Sequence, residues 1–189
     1  STEVIVGEYD GTVHGSLSVP MGSVRLTERF LRDSPPTEKQ VDVARRYVAE
    51  HCRSVRESVP VASAKTIVGC AGTYTTLSAL AQGLETYDPS AIHLSTLRFN
   101  ALRSLNQSVL DTDRRTLAEN PVMHPGRADV FAGGVVVIDG LMDMFESVAA
   151  EAKSSRANVP PLEFHVSEKD ILDGIVAGLI DEKLARAQQ

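Results

Sequence analysis

The sequence predicts a mixed α/β domain, and three observations carry that reading. Residues 3–8 and 13–19 pattern as short strands around an Asp-Gly turn; Val41 to Val59 repeats apolar residues at helical spacing; and a strand-like stretch ending at Val68 runs through glycine into another helical stretch. The 189 residues, 42% of them apolar and 23% charged, suffice to bury one core.

Taken in order, residues 3–8 are strand-like, and Tyr9-Asp10-Gly11 supplies a pair that tolerates the positive φ angles of tight turns. The returning strand alternates Val13, Gly15, Leu17 and Val19 with Thr12, His14, Ser16 and Ser18, and Pro20 ends it. Ser23 to Leu31 reads as a short helix stopped by Asp33-Ser34-Pro35-Pro36. Thr37 and Gln40 then form a capping box for a longer helix, whose Val41, Ala44, Val48, Cys52, Val55 and Val59 make one buried stripe. Lys65 to Val68 is strand-like, Gly69-Cys70-Ala71-Gly72-Thr73 is a glycine loop, and Tyr74 to Leu84 is helical. Helices are expected over Thr96 to Leu110 and Asp113 to Glu119, before the Asn120-Pro121 break and the Pro125-Gly126 turn. Arg127 opens another long helix. Residues 152–161 have the composition of a solvated loop, followed by a strand over Leu162 to Val166 and a helix over Asp170 to Ala187.

Composition excludes several classes. A net charge of −6 argues against general affinity for nucleic acid or anionic membrane, which clustered Lys and Arg would hold. The longest apolar run, Val130 to Phe145, is broken by Gly133, Gly134, Asp139, Gly140 and Asp143, short of a membrane span. Cys52 and Cys70 form no CxxC, and the five histidines show no HxH or HExxH spacing, so neither a disulfide scaffold nor a zinc module is expected. A reduced, cytoplasmic setting follows as the default.

The glycine loop at 69–73 is the strongest local feature. Small residues let backbone N–H groups approach an anion, and the helix N-terminus adds a favourable dipole. Taken alone, such a turn serves packing and capping as readily. Arg127, after Pro125-Gly126, could clamp phosphate oxygens, although an exposed arginine is ordinarily just solvated. Asp139 and Asp143, four apart, read as a helix's polar stripe rather than a catalytic pair.

Together these segments resemble the Ppx/GppA phosphatases, which include exopolyphosphatases and guanosine pentaphosphate phosphohydrolases. Ser1-Thr2-Glu3 resembles the end of that family's Asp-x-Gly-Gly-Gly-Ser-Thr-Glu signature, and Met21 to Glu28 the segment after its hairpin. Gly69 to Thr73 is similar to its second phosphate loop, followed by a similar Gly83-Leu84-x-x-Tyr87-Asp88. Gly126-Arg127-Ala128-Asp129-Val130 with Ala132-Gly133-Gly134 resembles its Arg-x-Asp helix, and Val166-Ser167 with Asp173-Gly174 its closing strand and helix.

The resemblance implies a ribonuclease H-like domain of the actin, sugar-kinase and Hsp70 superfamily, the second of two in a longer parent chain. It implies hydrolysis of terminal phosphoanhydride bonds of inorganic polyphosphate, with guanosine pentaphosphate as the close alternative and a non-catalytic polyphosphate or nucleotide sensor as the rival. Glu3 would hold a divalent cation, Mg²⁺, or the attacking water, and Ser1 would contact the terminal phosphate. Gly69, Gly72 and Thr73 would line the phosphate loop, and Arg127 would neutralise charge on the transferred group. The family's glutamate base belongs to the first domain, and the Asp and three glycines before Ser1 belong to a central strand; both are expected in the parent chain, leaving the sheet here without its middle strand. A homodimer is a further expectation.

Overall fold

A computed structural model describes residues 1–124, 126–155 and 162–187 of the protein. Strand β1 (Thr2–Gly7) pairs antiparallel with β2 (Val13–Val19), Val4 opposite Leu17, as the alternation predicts. Gly11 takes φ 91°, and the Thr12 amide donates to Asp10 Oδ1 at 2.9 Å, so the turn rests on the Asp-Gly pair.

Helix α1 (Ser23–Phe30) follows, then α2 (Glu38–Ser58), whose capping box is formed in both directions between Thr37 and Gln40. The predicted stripe is buried, from Val41 through Val59, and it includes Cys52. A 3₁₀ turn (Val61–Ser63) leads to β3 (Val68–Cys70) and α3 (Gly72–Ala81). Next come α4 (Pro89–Ile92), capped by Asp88, then β4 (Thr96–Arg98), α5 (Phe99–Leu110) and α6 (Arg114–Ala118). Helix α7 (Ala128–Ser155), β5 (Glu163–Ser167) and α8 (Ile171–Ala187) complete the order.

Three expectations need correction. Gly69 and Cys70 are strand, not loop, because β3 pairs parallel to β5 with Gly69 opposite Val166. Residues 96–98 are a strand rather than the first turn of α5, because β4 pairs antiparallel with β5, Leu97 opposite Phe164; tertiary pairing overrides the local helical pattern. The loop expected at 152–161 does not hold over 152–155, which belong to α7; residues 156–161 lie outside the described residues.

The strands form two sheets, β1-β2 and β3-β5-β4. The free sides of β1 and β3 therefore carry no strand among the described residues. Helix α7 is the core element: Phe131, Val135, Val136, Ile138, Leu141, Met142, Phe145 and Val148 are all buried on it, under α1, α2, α5 and α6. Its two aspartates diverge. Asp139 is 5% exposed and accepts from Asn106 Nδ2 at 2.7 Å and Arg45 Nη2 at 3.3 Å, whereas exposed Asp143 pairs with Arg103 at 2.6 Å. Among the described residues, no helix is long and apolar enough to cross a membrane.

Candidate active site

Strand β3 passes into α3 through one residue, Ala71, whose φ of 70° makes the sharp turn. No side chain caps the start of α3, so its first amides keep the orphan donors that every helix N-terminus presents. Gly72 and Thr73 are thus the helix's opening residues. Gly69 lies deeper, buried in the strand, where a Cβ would stand 2.3 Å from Tyr74 Cδ1; its missing side chain makes room for that ring.

Arg127 sits immediately before α7 and is half-buried. Its Nη1 donates to the carbonyl oxygen of Gly72 and, at 3.0 Å, to Thr76 Oγ1, so the guanidinium lies along the first turn of α3. A side chain at Gly72 would overlap it: a Cβ there would be 1.9 Å from Nη1. The remaining N–H groups of the guanidinium have no hydrogen-bond partner among the described residues, which leaves a fork of donors for an anion.

On the opposite flank, Ser1 and Glu3 belong to the β1 end of the hairpin. Ser18 Oγ donates to Glu3 Oε1 at 2.8 Å, and the Ser1 hydroxyl, followed by that of Ser18, holds the Glu3 carboxyl below the usual range, so it is a charged oxygen donor. Thr2 Oγ1 donates to the Met21 carbonyl, and Gly22 lies so close that a Cβ would be 2.7 Å from Ser1 N. Ser1 is thereby set against the N-terminus of α1, which also lacks a side-chain cap.

The glycine pair of α7 links the flanks. A Cβ at Gly133 would be 2.3 Å from the Ser23 carbonyl oxygen, and one at Gly134 would be 2.4 Å from Thr73 Oγ1. Successive helix positions are turned by about 100°, so one residue seats α1 and the next seats α3. Two uncapped helix N-termini are thereby held beside the start of α7, with Ser1 against one and Arg127 on the other. This arrangement suits an oxyanion with several negative oxygens.

Among the described residues, no group of three His, Cys, Asp or Glu side chains converges as a metal site. Glu3 offers a hard, ionised ligand beside Ser1, which fits Mg²⁺ held through one or two carboxylates and substrate phosphates. Sequence reasoning assigned no role to Tyr87 and Glu168, whose side chains meet at 2.6 Å near Arg127. The Tyr87-Asp88 pair leading into a capped helix was the available signal.

Against known proteins, the model of the Ppx/GppA phosphatase family matches residues 1–155. Exopolyphosphatase 2 of Mycobacterium tuberculosis is 45% identical over 179 residues, 95% of this chain and 52% of that protein. A bifunctional 3-dehydroquinate synthase/phosphatase of Fusobacterium nucleatum is 27% identical over 149 residues, 77% of this chain and 22% of that protein. Among solved structures, an exopolyphosphatase-like protein superposes with a TM-score of 0.84 at 36% identity, over 93% of this chain and 55% of its own. A Ppx/GppA family member from Aquifex aeolicus gives 0.78 at 23% identity, over 96% and 53%. The chain spans about half the length of the exopolyphosphatase and of both structures.

Proposed function

Because the chain belongs to the Ppx/GppA phosphatase family, we propose that it is the second domain of an exopolyphosphatase, which releases orthophosphate from the end of inorganic polyphosphate. The observation that carries this reading is the docking of Arg127 on the uncapped start of α3. The name of the relative at 45% identity favours polyphosphate over guanosine pentaphosphate.

In this reading, the Gly72 and Thr73 amides and the Arg127 fork bind the terminal phosphate, with Ser1 on the facing side. A water oxygen bonds to the terminal phosphorus as the bond to the bridging oxygen breaks, leaving a chain one phosphate shorter. Charge that builds on the equatorial oxygens is met by donors already in place, so little reorganisation is needed. Mg²⁺, when bound, would offset the charge of adjacent phosphates, and Glu3 is the residue to hold it. Gly69 supports the turn from the strand behind it. The base that accepts the water's proton is assigned to a first domain of the same protein. That domain would cover the free sides of β1 and β3 and the apolar stripe of α8, where seven large apolar residues from Ile171 to Leu184 are 52–75% exposed. The protein would work in the cytoplasm, where two free cysteines stay reduced, and as a homodimer.

The test is phosphate release by the two-domain protein with Mg²⁺, offering long-chain polyphosphate and guanosine pentaphosphate in parallel. Arg127→Ala should lower turnover about 10²–10³-fold, the loss typical of one oxyanion donor. Release that survives the substitution would remove Arg127 from the reaction, and no release from either substrate despite binding would leave a sensor.

A further inference from the structure

Two groups donate to the Gly72 carbonyl: Arg127 Nη1 and, at 3.4 Å, Thr75 Oγ1. Cys70 stands opposite Ser167, so Glu168 and the Ala71-Gly72 turn leave the sheet side by side, and Tyr87 neighbours both: burial and Glu168 raise its phenol, while the Thr75 hydroxyl and the Arg127 charge act against that. The Tyr87 hydroxyl donates to Glu168 Oε1 at 2.6 Å. Glu168 is the first residue past β5, and its backbone amide is pinned in turn, donating to His93 Nδ1 at 3.2 Å.

A carboxylate and a guanidinium thus stand at opposite ends of a polar chain of neighbours, Glu168, Tyr87, Thr75, Gly72 and Arg127, in which hydrogen bonds join Glu168 to Tyr87 and Gly72 to both Thr75 and Arg127. The chain lies beyond the carboxyl ends of the parallel strands β3 and β5, where open α/β sheets bind ligands. A carboxylate left loose there would be an intramolecular rival to phosphate, since arginine pairs with both in the same forked geometry. Among the described residues, however, Arg127 and Glu168 form no ion pair, and the short bond from Tyr87 accounts for where the carboxylate is held instead.

We propose that Tyr87 is a positioning residue for anion binding: it restrains the Glu168 carboxylate, and so keeps the Arg127 fork open for the substrate's terminal phosphate. This rests on the reading of Arg127 as the phosphate contact. Tyr87 touches no reacting atom; its effect passes entirely through Glu168, and that dependence is what an experiment can isolate.

The test uses the two-domain protein, with tripolyphosphate binding by calorimetry as the first readout and KM and kcat for phosphate release as the second. Tyr87→Phe keeps the ring and removes only the hydroxyl; it should weaken tripolyphosphate binding and raise KM about tenfold, with kcat changed by less than about threefold. Glu168→Gln should bind at least as tightly as the unsubstituted protein. Adding Glu168→Gln to Tyr87→Phe should restore affinity to within about threefold of Glu168→Gln alone, because the rival charge is gone. A double variant as weak as Tyr87→Phe would mean that Tyr87 matters only for packing, and would overturn the proposal. So would Tyr87→Phe binding like the unsubstituted protein while Arg127→Ala binds poorly. If Arg127→Ala binds tripolyphosphate undiminished, the underlying reading of Arg127 fails, and this inference with it.

Discussion

Glu3 shows how neighbouring hydroxyls keep a single exposed side chain charged. The hydroxyls of Ser1 and Ser18 stabilise its charged form, which lowers its pKa. With the folded value below the unfolded one, the group contributes stability above the ordinary carboxylate range, and that contribution is lost as pH falls through the folded value. Ser18→Ala should move the Glu3 titration up toward the ordinary range, with the Ser1 hydroxyl retaining part of the shift; carboxyl chemical shifts followed against pH check this, and an unmoved midpoint would exclude Ser18 as a cause. Cys52 is governed by the opposite force: burial, with Asp143 adding a smaller push, raises its thiol to about 12, so it is a core residue and not a nucleophile. The pattern of the α2 stripe already placed it there.

At the scale of elements, α7 organises the domain through its glycines. Gly133 meets the Ser23 carbonyl, Gly134 meets Thr73, and Gly140 would place a Cβ 2.3 Å from Val48 Cγ1 of α2. Bare backbone at these three positions lets α7 hold α1, α3 and α2 closer there than a side chain would allow. Gly133→Ala should force α1 off α7, because the atom in the way is backbone and cannot swing aside. We expect a loss of about 1–3 kcal/mol, the usual penalty of overpacking, read as a fall in the thermal midpoint. An unchanged midpoint would mean that α1 moves freely against α7, and the alignment of the two helix N-termini would lose its basis. The family resemblance covered Gly133 and Gly134, but which helix each one seats was not visible until α1 and α3 were placed.

For the whole molecule, the consequences lie in what the chain leaves open. Two sheets replace one, and α8 carries a wide apolar surface without packing it. Contiguous exposed apolar surface of this kind drives association, as do unpaired strand edges. Residues 1–189 produced alone should therefore self-associate beyond a dimer at micromolar concentration and bind a hydrophobic dye such as ANS, whereas the two-domain protein should go no further than a dimer and bind no dye; light scattering coupled to gel filtration decides. A monodisperse, dye-free 1–189 would count heavily against assigning these surfaces to a first domain.

What the sequence determined by itself was whatever local forces fix. The Asp-Gly hairpin, the Thr37 to Gln40 capping box and the α2 stripe each depend on residues within a few turns of one another, and all three formed as read. The order of short motifs also pointed to the family, because motif order survives without coordinates. Only the tertiary structure decided that residues 96–98 and 69–70 are strands, since their ladder partner β5 lies far along the chain and pairing energy outweighs local propensity. The same holds for the site. Arg127 reaches Gly72 across 55 residues and Tyr87 reaches Glu168 across 81. Such contacts form only once the core has closed and brought distant segments side by side, and no periodicity or spacing in the sequence encodes which partner a polar group will then meet.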